Sequence, residues 1–302
     1  AKRLEEVLTA DPRFAGRDVV VLNFASGGYK QPQQLQILAY FLSQGQELDM
    51  VLNIDGFNEV ALTPYNRGEG MALAMPSSLH VLPLINLLDH STLTAERLES
   101  LYRVSRIKER LGNLAARLQQ TRSAGVHLVL GVWHSRLNAR YTHERNLFQS
   151  LETEGTAASL VGLAALEPSV TDPETMFEQI TERWIDTSLL MHQLLEVRGI
   201  AYYHFLQPNQ YYTDRVFGEE EKAIAIREEA PLRGHAERGY PYLLEAAPWL
   251  ISQGVDFHSA IHIFDDEPEI VYMDNCCHYN QLGNEIFAEF IAERVLARWP
   301  SS

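Results

Sequence analysis

No stretch of this 302-residue chain stays apolar for the roughly eighteen residues that a membrane helix needs, so no membrane span is visible. Basic residues are scarce: 25 Lys and Arg stand against 40 Asp and Glu, a formal charge of −15. Nucleic-acid contacts require clustered cations, so this deficit argues against a polyanion partner. Cysteine is nearly absent, and its two copies, Cys276 and Cys277, are neighbours that cannot close an ordinary disulfide loop. They neither demand nor exclude an oxidising compartment, which leaves localisation open between cytoplasm and cell envelope. The opening Ala1-Lys-Arg-Leu-Glu-Glu-Val-Leu8 lacks the apolar run of a signal peptide and reads as the middle of an amphipathic helix. No repeat of fixed period is present.

What is present is enough apolar side chain, 46% of residues, to bury a sizeable core within one domain. Short β-branched runs suited to strands covered on both faces occur at Asp18–Asn23, Leu48–Asp55, Val126–Trp133, Ile200–Leu206 and Glu269–Met273. Helical spacing separates them. Leu35, Leu38 and Leu42 form one stripe, Thr94 to about Arg122 another, and Met176, Ile180, Trp184 and Leu194 a third behind Asp172-Pro-Glu. Further helices are expected around 240–252 and from Asn280 to the end, where Ile286, Phe287, Phe290, Ile291 and Val295 recur. The alternation predicts one α/β domain over 1–302 with a mostly parallel sheet. Residues 61–90 read as loop, 61–125 and 214–235 as insertions, and 214–232 as a solvated, charge-rich excursion.

In parallel sheets ligands gather beyond the carboxyl ends of the strands. Gly28, Asn58, Gln207 and His278 each follow a predicted strand closely. Gly28 lets backbone approach a substrate, Asn58 offers an amide donor, and His278 titrates where a general base must. Asp274 stands near enough to orient it.

Asn23-Phe-Ala-Ser-Gly-Gly28, Gly56-Phe-Asn-Glu59 and Asp274…His278 followed by Asn280-x-x-Gly283 resemble, in order and spacing, three blocks of the SGNH (GDSL-like) hydrolase superfamily. The resemblance runs from 18 to 298. It implies a three-layer α/β/α sandwich with a flavodoxin-like sheet and a Ser-His-Asp esterase mechanism. His278 and Asp274 would be catalytic, with Gly28 and Asn58 in the oxyanion hole. Two departures accompany it. The block that carries the nucleophilic serine is missing and is expected upstream of this chain. Three residues also separate Asp274 from His278 where the family has two, so either Asp274 or Asn275 occupies the acid position.

Other residues fit simpler roles. Ser26 reads as a turn residue, and Ser105-x-x-Lys108 as a chance match in a charged helix. His258 and His262, four apart, could share a helix face, but they lack an evident third metal ligand. Cys276 and Cys277 read as packing. Gln207 and Asn209, with Tyr211 and Tyr212 beyond, are candidates to bind a polar or sugar-like acyl group, and Trp133 with His134 to wall the pocket. Expectation therefore centres on a small-molecule, glycan or lipid ester substrate with no cofactor and no metal. A catalytically silent SGNH-like domain that binds a glycan or a partner protein is the alternative. A flavodoxin-like nucleotide binder is disfavoured, because no Gly-rich phosphate loop with Lys follows the first strand.

Overall fold

A computed structural model describes residues 1–80, 95–121, 123–151 and 172–299. In chain order the principal elements are α1 (Lys2–Ala10), α2 (Gln33–Ser43), β1 (Met50–Asp55), α3 (Phe57–Gly68), α4 (Ala95–Gln120) and α5 (Ala124–Ser150). They continue with α6 (Pro173–Glu196), β2 (Ala201–Leu206), α7 (Glu219–Ala225), α8 (Pro231–Ser252), β3 (Asp256–Ser259) and α9 (Gln281–Arg298). They divide into two compact units, one of Ala1–Val81 with Ala164–Ser302, the other of Leu82–Leu163.

The larger unit is a mixed α/β structure, helix-rich, around a small parallel sheet ordered β1-β2-β3. Met50 pairs with Ala201 and Asp55 with Leu206, while Tyr203 pairs with Asp256. Successive β2 side chains point to opposite faces. Tyr202 and Leu206 join one hydrophobic cluster with Trp184 and Leu195 of α6, Val60 of α3 and Tyr240 and Leu243 of α8. Tyr203 and Phe205 join a second cluster with Leu4 and Leu8 of α1 and Phe287, Ile291 and Val295 of α9. β2 is buried on both sides, which is why it reads as a continuous apolar run.

The longer helices start where side chains satisfy their free N–H groups. The Asp172 carboxylate accepts from Thr175 N at 2.8 Å, with Pro173 pre-set in the first turn of α6. The Asn280 amide oxygen accepts from Gly283 N at 3.0 Å to open α9. At α3 the Glu59 carboxylate accepts from Gly56 N at 2.8 Å. Gly56 has φ +114, and an added Cβ would lie 2.2 Å from Leu206 Cδ1, so the turn out of β1 requires glycine.

Several expectations are corrected. Residues 18–23 form no strand; Val20 is 63% and Leu22 49% exposed, and among the described residues no backbone completes a ladder beside them. Residues 126–133 are helical, since no turn separates them from the polar stretch that continues α5. Residues 269–273 give only an isolated bridge, Tyr272 with Tyr279, because the Glu221 carboxylate takes the N–H groups of Val271 and Tyr272 that a strand partner would have used. Residues 61–68 belong to α3, which carries Pro64 within it. The 214–232 segment is not simply solvated. Arg215 is buried and donates to Glu221 at 2.6 and 3.0 Å, to Phe264 O at 2.5 Å and to Glu269 O at 2.7 Å, so α7 is clamped to the core. His258 lies in β3 and not on a helix with His262, which pairs instead with Asp265.

In the smaller unit α4 and α5 are joined by Arg103 and Glu144 at 3.2 Å, and Ile107 is buried. Trp133 sits within α5, 62% exposed, and does not follow a strand.

Candidate functional site

The loop 274–278 is the most chemically organised surface feature of the larger unit. Its base is closed by Met273 N to His278 O at 3.0 Å and Asn280 N to Val271 O at 2.8 Å. The residues after β2 grip its carbonyls. Asn209 Nδ2 donates to Cys276 O at 3.1 Å, Gln210 Nε2 to Asp274 O at 3.1 Å, and the Tyr211 hydroxyl to Asn275 O at 2.8 Å. The amide-rich sequence behind β2 is thus explained by backbone acceptors that need donors.

Inside the loop, Asp274 Oδ1 accepts the N–H groups of Cys276 and Cys277 at 2.9 and 3.2 Å. Its Oδ2 meets Nδ1 of His278 at 2.5 Å. Partial burial works to raise the Asp274 carboxyl, but the bonds from His278 and from the Cys276 and His278 N–H groups outweigh it and hold the group below its usual range. The same bond to Asp274 raises the His278 imidazole. With Nδ1 donating to the carboxylate, Nε2 is left to take a proton, and the ring is exposed enough to meet a substrate. Asp274, and not Asn275, is the acid bonded to the imidazole.

Gly28 and Asn58 are brought together through one residue. Asn58 Nδ2 donates to Tyr29 O at 2.6 Å, tying the 25–30 turn to the start of α3. Gly28 is buried at φ +75, and a Cβ there would lie 2.3 Å from His80 Nδ1, so the imidazole rests on bare backbone. Among the described residues no hydrogen bond links this pair to the Asp274–His278 pair.

Behind these loops lies a buried polar cluster that sequence reasoning missed. Asp55, the last residue of β1, accepts from Trp184 Nε1 at 2.7 Å, Asn53 Nδ2 at 2.7 Å and Gln31 Nε2 at 3.1 Å, and its Oδ1 lies 2.8 Å from His204 Nε2. Burial pushes the Asp55 carboxyl up, and His204 with the other donors more than reverses it. The other ring nitrogen of His204 meets Ser188 Oγ at 2.8 Å. Ser188, His204 and Asp55 therefore have the bonding order of a catalytic triad. All three are buried and Ser188 also bonds the Tyr202 hydroxyl at 3.1 Å, so the arrangement holds α6 against β1 and β2. Glu59, beside Asp55, is raised to about 8 by burial and by the Asp55 charge. Lys30, buried near it, is lowered to about 7 by burial, against the pull of Glu59. The available signal was a charged or titratable residue inside otherwise apolar strand runs, at Asp55 and His204.

The remaining candidates are dispersed. Gln207 is half-buried and its carbonyl accepts from the Tyr240 hydroxyl at 3.1 Å. Asn209 is fully buried with both side-chain polar atoms spent inside the loop, so it braces the loop and does not line a cleft. Trp133 lies in the smaller unit. Ser26 is an exposed turn residue whose carbonyl accepts from Tyr29 N at 3.2 Å. A depression of about 260 Å³ lined by Gln210, Tyr211, Phe217, Lys222, Ile226, Arg233 and Glu237 lies behind the loop; Gly28, Asn58 and His278 do not line it. Compared with protein-family models, curated proteins and solved structures, the chain matches none of them.

Proposed function

We propose that this chain is the body of an SGNH-type serine esterase with a three-layer α/β/α architecture, acting on an ester such as an O-acyl carbohydrate or a lipid. His278 is the general base, Asp274 holds its tautomer and steadies the imidazolium, and the Gly28 N–H with the Asn58 amide stabilises the oxyanion. The observation that carries this reading is the bond from His278 Nδ1 to Asp274 at 2.5 Å, on a loop braced by the residues that leave β2. Hydrophobic clusters on the two faces of the parallel sheet support the layered architecture.

The reading needs a serine, and among the described residues no serine hydroxyl bonds the His278 ring. We infer that its strand would run along the edge of β1, which stands at one end of the sheet among the described residues. Val19 and Val21 pack on the same cluster as Met50 and Leu52, yet no backbone hydrogen bond joins the two segments among the described residues. The 302-residue chain alone is therefore expected to show little or no turnover.

The test is hydrolysis of a short-chain aryl ester by the natural full-length protein, with His278→Ala beside it. Loss of turnover by about a thousandfold or more is expected for the variant. Unchanged turnover, or a protein that neither hydrolyses any ester nor reacts with a serine-directed phosphonate, overturns the proposal. That second outcome favours a catalytically silent domain binding a glycan or a protein. One observation points that way: the Asn58 amide already spends an N–H on Tyr29 O.

A further inference from the structure

The mechanism above leaves two side chains in the 274–278 loop without a role. Cys276 and Cys277 are the chain's only cysteines, and their Sγ atoms lie 3.5 Å apart. Consecutive side chains in an extended strand point to opposite faces. Here the turn made by Asp274 Oδ1, which accepts the N–H groups of both cysteines, folds the segment so that the sulfurs converge. A ring nitrogen of His278 joins them, and the three ligand atoms lie within 4.8 Å of one another.

We propose that Cys276, Cys277 and His278 form a binding site for a soft divalent cation, zinc or cadmium. Two thiolates on a tetrahedral zinc, each at about 2.3 Å, stand about 3.8 Å apart, close to the sulfur separation already present. Thiolate and imidazole are the donors that such ions prefer over magnesium or calcium. Asp274 gives His278 the carboxylate partner that orients metal-bound imidazoles, and the loop carbonyls are fixed by Asn209, Gln210 and Tyr211. Binding replaces two S–H bonds by metal–sulfur bonds and releases the two thiol protons to solvent. The fourth position stays open to water, because the His278 side is exposed. The cation would occupy the imidazole that the esterase reading uses as base, so the site is one of inhibition. That consequence rests on the proposed function, and the binding does not.

The experiment titrates cadmium into the chain kept reduced with a phosphine, following the ultraviolet thiolate-to-cadmium charge-transfer band. Because the chain holds no other cysteine, the band reports this loop alone. Saturation at one equivalent per chain, with unchanged mass in solution, is expected. The Cys276→Ser/Cys277→Ser double variant should show no band, and His278→Ala, an exposed position, should weaken binding at least about tenfold while keeping the band. Absence of the band in the folded wild-type chain, a band that appears only with doubled mass, or unchanged affinity in His278→Ala overturns the proposal. Failure of ester hydrolysis leaves the cadmium result standing, so the two readings fail separately.

Discussion

The Nε2 of His204 and the Oδ1 of Asp55 lie 2.8 Å apart in the interior, across the adjacent strands β1 and β2, with neither side chain reaching solvent. A buried carboxylate is costly unless every lone pair is used, and Asp55 uses its own on His204, Trp184, Asn53 and Gln31. The cluster joins β1, β2, α6 and Gln31. Asp55→Ala leaves four donors aimed at nothing, and a loss of about 3–5 kcal/mol is expected in urea unfolding. Because the Asp55 carboxyl is lowered in the folded chain, its contribution is complete above the unfolded value of 3.8 and is lost as pH falls through the folded one.

Glu59 behaves in the opposite sense. Its folded value of about 8 lies above the ordinary glutamate value of 4.5, so the folded chain holds a proton over that window that the unfolded chain has released. Its contribution is full below the unfolded value and declines as pH rises, at up to ~1.4 kcal/mol per pH unit. Urea midpoints from pH 5 to 8 should fall less steeply for Glu59→Gln than for the wild type. Lys30 adds a rise above its folded value of about 7, where the unfolded chain alone still carries the charge, up to the ordinary lysine value of 10.5. An identical pH slope in Glu59→Gln would show that the carboxyl is not the proton-binding group.

Under the esterase reading, His278 must be neutral to act as base, and Asp274 raises its imidazole. Activity should therefore decline on the acid side at a pH above that of an ordinary histidine. Asp274→Asn removes the charge and should move that limb to lower pH while reducing kcat by about 10³–10⁴. A pH–rate profile of the variant superposable on the wild type, apart from scale, would remove Asp274 from this role.

The Arg215–Glu221 pair fixes the excursion after β2 onto the core. Glu221→Ala leaves a buried guanidinium uncompensated and frees the Val271 and Tyr272 N–H groups. A loss of about 3–5 kcal/mol is expected, and the Arg215→Met/Glu221→Leu pair should recover much of it. Calorimetry on the single and double variants measures the coupling; strict additivity would mean that the two side chains act independently.

The strands that run through 48–55 and 200–206 were legible because their apolar periodicity is a local property. So were α6 and α9, where Asp172-Pro173 and Asn280 mark the starts and apolar stripes follow. The segments misread share one physical cause. Val126–Trp133 has the composition of a buried strand, yet it is helical and carries its large side chains outward, as an apolar run has no period that separates the two states. Val19–Leu22 has the same composition but, among the described residues, no partner backbone pairs with it. Asn209 looked like a ligand-binding amide, and the acceptor its Nδ2 serves lies more than sixty positions away, at Cys276.

By itself the sequence determined the apolar periodicity of 48–55 and 200–206, the helix starts at Asp172 and Asn280, and the position of Asn58 just after β1, because each depends on residues within a few positions. Tertiary structure alone decided which apolar runs pair, because a strand exists only where another backbone takes its hydrogen bonds. It also decided that Asp55 is buried with His204, and that two neighbouring cysteines turn their sulfurs toward one imidazole. Those outcomes follow from contacts between distant segments and from the cost of leaving a buried polar group unpaired.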